Sequence, residues 1–337
     1  MKVAAAAFAA TLALTTGSAL AQAPRPGSAQ DAEPPRAPEP QAPKSSVFRS
    51  GSALVSLNVT VQDPSAKYVA GLQSSDFAIY EDGVKQDVQF FESNAVPVDL
   101  IVLIDTSSSM IDKIDVVHDA ASGFLKTLRA GDRGAVVGFA DSVSILQPLT
   151  SDHALLEQAV RHTVARGSTA MNNALYVSLK QFGLGARQDG NPRRQAIVVL
   201  SDGEDTSSLV SVEDVLGLAR RMGVNIYTVA LQSKFAAQSG RRYFSEADYA
   251  MKTLARETGA QSFFPAPGEL KGVYASIATE LANQYSIGYV PANLRPDGRF
   301  RRVVVQILNR AGLRSRTRPG YTADGAINTS AGNFQPR

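Results

Sequence analysis

The sequence predicts an α/β protein: a doubly wound, mostly parallel, Rossmann-like sheet inserted into a small antiparallel β-sandwich made by the flanking segments. Three observations carry this expectation. Apolar runs without alternation, such as "VDLIVLID" and "RQAIVVLSD", recur between helix-like segments over residues 96–285, as parallel strands covered on both faces should. The segments on either side, 48–95 and 286–322, read in period two and carry turn signals. Finally, the 337-residue chain is 44% apolar and 19% charged, enough to bury one large core or two ordinary ones.

The first residues read as a secretory leader. Lys2 precedes the small, apolar "VAAAAFAATLALTTGSA", and Ala19 to Ala21 form an A-x-A pattern, so cleavage is expected after Ala21. That apolar core is short for a bilayer span, and no later stretch is long enough either. The mature protein is therefore expected to be secreted or periplasmic, without a membrane span. With no Cys in the chain, lipoprotein attachment, disulfides and thiolate chemistry are excluded. Residues 22–47 are Pro-rich, with no large apolar side chain from Ala23 to Ser46, and are expected to be an extended tether.

Next, Val55, Leu57, Val59 and Val61 alternate with polar neighbours as in a half-buried strand. Phe77 and Ile79 lie on one side of an Asp82-Gly83 turn, and Val88 and Phe90 on the other, which predicts a hairpin. From Val98 the strands alternate with helices expected near 114–128, 154–164, 171–182, 212–221, 248–258 and 270–284. "GAVVGFA" and "SVSILQP" read as a close strand pair between them. The period-two signals of "YSIGYVP", "FRRVVVQIL" and "LRSRTR" then predict strands that return to pair with 48–95. Residues 323–337 read as a disordered tail.

In such a sheet, ligands bind beyond the carboxyl ends of the strands. Asp105 ends one strand, with Ser107 and Ser109 in the next loop. Asp202 ends another, and Thr169 lies in a Gly-containing loop before a helix. Two carboxylates and three hydroxyls offer oxygen only, which suits a hard divalent cation: Mg²⁺, or Mn²⁺ or Ca²⁺. Few protein ligands plus waters would leave one position for an outside oxygen, most naturally a carboxylate. Ser and Asp also cap helices, so each residue alone has an ordinary explanation; the five together point to metal.

D-x-S-x-S after the first strand, Thr169 in a G-S-T loop and Asp202 in "LSDGED" resemble the metal-ion-dependent adhesion site (MIDAS) of von Willebrand factor A (VWA) domains. "GDRGAVVGFAD" is similar to that family's second-strand region. The flanking "SSDFAIYEDGVKQDVQFF" and "YSIGYVP" resemble a bacterial secreted subgroup. The resemblance implies a binding module rather than an enzyme. Ser107, Ser109 and Thr169 would bind metal directly or through water, Asp105 and Asp202 would place and charge it, and a partner's Asp or Glu would complete it. A metal-dependent hydrolase such as a phosphatase is the alternative, although Ser107 stands where a D-x-D nucleophile pair would put its second Asp.

Other charged groups are weaker candidates. Glu204 and Asp205 could enlarge the site, but read more simply as a solvated acidic loop. Lys234, Arg241 and Arg242, with Phe235 and Tyr243, follow a strand and are expected at the metal-bearing edge, where they could steer an acidic protein partner. Arg314, Arg316 and Arg318 alternate along a predicted strand, about 6.6–6.8 Å apart on one face. They are expected to be a solvated stripe unless they touch phosphates. A net charge of +3 gives no reason to expect nucleic-acid binding. His118, His153 and His162 read as structural or exposed, since none stands at a strand's carboxyl end.

Overall fold

The computed structural model describes residues 54–93, 96–185, 193–202, 205–231 and 245–323. The expected leader, tether and terminal tail lie outside the described residues. The described chain opens with β1 (Val55–Gln62), β2 (Phe77–Glu81), β3 (Val84–Gln86) and β4 (Val88–Ser93). The α/β series follows: β5 (Val98–Asp105), α1 (Ile114–Leu125), β6 (Arg133–Phe139), β7 (Val143–Thr150), α2 (His153–Arg161), α3 (Met171–Gly185) and β8 (Arg194–Ser201). It continues through α4 (Val212–Met222), β9 (Asn225–Ala230), α5 (Glu246–Glu257), β10 (Ser262–Phe263) and α6 (Leu270–Asn283).

These strands form a six-stranded sheet in the order β10-β9-β8-β5-β6-β7, parallel except for β7, which pairs antiparallel to β6. Every residue of β5 is buried because both its faces are covered. Leu100, Val102 and Ile104 pack with Val117, Phe124, Leu156, Tyr274 and Ile277 from α1, α2 and α6. Ile101 and Leu103 pack with Leu175, Leu179, Val215 and Leu254 from α3, α4 and α5. Burial on both sides is why the run carries no alternation. The chain leaves β5 toward β6 and later resumes on β5's other side at β8. The β5/β8 boundary is thus the topological switch point, and ligands of such sheets bind beyond the strands' carboxyl ends there.

The tail supplies β11 (Tyr285–Tyr289), β12 (Phe300–Ile307), β13 (Arg314–Arg316) and β14 (Gly320–Thr322). With the first four strands they build two four-stranded antiparallel sheets, β13-β1-β11-β4 and β14-β12-β2-β3. Leu57, Val59, Phe77, Ile79, Ile287, Val303 and Val305, drawn from both sheets, share one apolar core. The Asp82-Gly83 turn does join β2 to β3, with φ of 48° and 84° as a two-residue type I′ hairpin requires. The strand that follows differs from the expected simple hairpin. Only Val84–Gln86 pairs with β2, whereas Val88–Ser93 crosses to the other sheet and pairs with β11. Among the described residues, no helix is long and apolar enough to cross a membrane.

Candidate metal centre

Asp105 is the last residue of β5 and fully buried. Its Oδ1 accepts the Ser107 amide at 2.8 Å, and its Oδ2 accepts the Ser201 hydroxyl at 2.5 Å. Burial nevertheless pushes this carboxyl above its ordinary range, and the neighbouring Asp202 pushes the same way. A 3-10 turn, Ser108–Met110, then carries the chain past Ser109. The Ser107 and Ser109 hydroxyls lie 3.0 Å apart, and Ser109 donates to Asp202 Oδ1 at 2.6 Å. The second oxygen of Asp202 takes the ammonium of Lys113. Hydrogen bonds therefore run without a break from β5 to the end of β8 across the switch point.

The Thr169 loop is tied to this place by the backbone of Arg166 and Gly167, while the Thr169 backbone itself bonds to the loop after β8. In its loop, the Arg166 amide donates to Thr106 O at 2.5 Å, and Gly167 O accepts the Ser108 amide at 3.0 Å. Thr169 O accepts the amides of Thr206 and Ser207 at 2.9 and 3.0 Å, and its amide donates to Thr206 Oγ1 at 3.2 Å. Asp205 is not the solvated acid expected of it. Its carboxylate accepts the Asn172 amide at 2.7 Å and the Ser208 amide at 3.0 Å, tying the start of α3 to the loop after β8. Glu204 lies outside the described residues.

Residues 99–266 match the family model of the von Willebrand factor type A domain. These residues form a von Willebrand factor type A domain. A curated relative, the UPF0353 protein of Mycolicibacterium paratuberculosis, is 29% identical over 199 residues, 54% of this chain and 60% of its own. The chain thus spans less than two thirds of that relative. Among solved structures, a von Willebrand factor type A protein from Catenulispora acidiphila aligns with 84% of this chain and 77% of its own, at 15% identity and a TM-score of 0.48. The vWF domain of the type V pili tip protein Mfa5 from Porphyromonas gingivalis covers 55% of this chain and 95% of its own, at 15% identity and a TM-score of 0.43. Domains of this family typically mediate protein interactions.

Within this von Willebrand factor type A domain, sequence reasoning missed Lys113 and Ser201. Lys113 stands just before α1, where a lone Lys reads as a solvated charge. Ser201 was hidden inside an apolar run, and only its place directly before Asp202 signals it. The candidate partner residues Lys234, Phe235, Arg241, Arg242 and Tyr243 lie outside the described residues. The arginine stripe is corrected. Arg316 pairs with the buried Glu280 at 2.6 Å, and Arg318 is buried with its guanidinium on Ser56 O at 2.9 Å and on Arg220 O. Of the three, only Arg314 is exposed, because β13 lies on the sandwich edge that faces the α/β layer. His118 is half-buried against Thr163, His153 begins α2, and His162 is exposed after it.

Proposed function

We propose that this domain is a secreted or periplasmic protein-binding module of adhesion or assembly type that works through a divalent cation. In this reading Ser107, Ser109 and Thr169 hold Mg²⁺, or Mn²⁺ or Ca²⁺, directly or through water. Asp105 and Asp202 supply negative charge, and an Asp or Glu of a protein partner completes the shell. The observation that carries the reading is the hydrogen-bonded series Asp105–Ser107–Ser109–Asp202 at the switch point, whose side chains offer oxygen alone as ligand atoms. The donor set fits a hard cation because it has no sulfur or imidazole. When bound, the ion supplies an electrophile for an outside anion. The protein's part is to fix the hydroxyls and exclude competing ligands. Export rests on the leader pattern of residues 1–21.

The test is a capture experiment on envelope extract with Mg²⁺, with EDTA, and with Asp105→Ala. Capture that EDTA reverses and Asp105→Ala abolishes is the expected result, with far-ultraviolet circular dichroism unchanged. Capture that survives either treatment would remove the metal bridge. Metal-stimulated hydrolysis of a phosphate ester would instead favour an enzyme.

A further inference from the structure

The Lys113 ammonium is buried in the site itself, its side chain 7% exposed and that of Asp202 2%. An ordinary surface lysine would keep its charge in water. Here the backbone is fixed at both ends: the Lys113 amide donates to Met110 O at 2.8 Å, and Lys113 O accepts the Val117 amide at 3.1 Å at the start of α1. The four carboxylate oxygens of the site are all engaged, two of Asp105 by Ser107 and Ser201, two of Asp202 by Ser109 and Lys113. The Ser107 and Ser109 oxygens retain lone pairs, since a hydroxyl that donates one hydrogen bond can still accept.

Resting on the metal-binding reading above, we infer that Lys113 is a permanent third charge of the site. It stays on Asp202 when a divalent ion enters. Two carboxylates, one ammonium and a dication then leave one net positive charge among buried side chains. Lys113 thereby weakens ion binding, because a cation repels a cation at short range. In exchange the loaded site favours an anionic group from outside. It is a positioning residue that sets specificity: it keeps two acids from saturating the ion's charge, so a neutral oxygen is a poor substitute for a carboxylate.

Calorimetric titration of Mn²⁺ into the full protein, with Lys113→Met, Lys113→Gln and Lys113→Arg, tests this. Glutarate is then added to each Mn²⁺-loaded protein and its binding read by loss of water-proton relaxation. Met and Gln variants are expected to bind Mn²⁺ at least tenfold more tightly and glutarate at least tenfold more weakly, and the Arg variant to resemble the wild type. Unchanged or weaker Mn²⁺ binding by both neutral variants would overturn the inference, as would tighter Mn²⁺ binding with undiminished glutarate binding, which would mean that Lys113 departs. Wild-type protein that binds no Mn²⁺ would sink the metal reading and this inference together; Mn²⁺ binding lost in Asp105→Ala but unmoved by Lys113 substitution would sink only the inference.

Discussion

His118 shows how burial sets a charge state away from the site. Its Nε2 lies 2.6 Å from Thr163 Oγ1, and that hydroxyl's own proton goes to Val160 O at 2.9 Å. With that proton on Val160 O, Nε2 is the donor, in the neutral tautomer with hydrogen on Nε2. Burial lowers the imidazole's pKa below its ordinary 6.5, ahead of the opposing pull of Asp115. The unfolded chain consequently takes up a proton here before the folded protein does. The stabilisation is present above the unfolded value and is lost as pH falls through the folded one. Urea denaturation from about pH 8 down to about pH 5 should show the wild type losing more stability than His118→Gln. Equal losses would contradict this assignment.

At the scale of elements, legibility follows from where a residue's constraints lie. β5 is readable because burial on both faces is written into every position. Asp105, Ser107, Ser109 and Asp202 are readable because strand ends and short polar loops mark the sheet's edge. Thr169 is readable by its loop, although its anchoring by Thr206 depends on a chain segment 37 residues away. The crossing of β4 between sheets is not readable: Val88–Ser93 has the same local pattern whether it continues a hairpin or leaves it. The inward turn of Arg316 and Arg318 is equally invisible, since Glu280 and the carbonyls that receive them come from distant elements. One element junction yields a sharp expectation. Gly259 follows α5 at φ +80°, and a Cβ there would lie 2.5 Å from Arg318 N. Gly259→Ala should cost about 1–3 kcal/mol from the left-handed backbone alone, and more from the clash, in a urea titration. Mn²⁺ affinity should not change, because Gly259 sits at the amino edge of β9, opposite the candidate centre.

At the scale of the whole molecule, the question is what makes the sandwich and the α/β layer one structure. Glu280 of α6, fully buried, gives the clearest answer. Tyr227 of β9 donates to its Oε1 at 2.7 Å and Thr60 of β1 to the same oxygen at 3.3 Å; Tyr68 donates to Oε2 at 3.0 Å. Arg316 of β13 closes the ring of partners. Burial, reinforced by the Glu280 charge, keeps Tyr68 and Tyr227 protonated and therefore donors. Asn58 Nδ2 to Asn225 Oδ1, at 2.6 Å, adds a second bridge between the layers. A buried carboxylate with this many donors is costly to leave half-satisfied, so its removal should act on both layers at once. A double-mutant cycle with Glu280→Gln and Arg316→Met should give a coupling energy of about 0.5–3 kcal/mol. Wild-type tyrosine fluorescence and far-ultraviolet circular dichroism should report one common unfolding transition, and Glu280→Ala should lower its midpoint. A coupling energy indistinguishable from zero would mean that the Glu280–Arg316 pair does not help to join the layers.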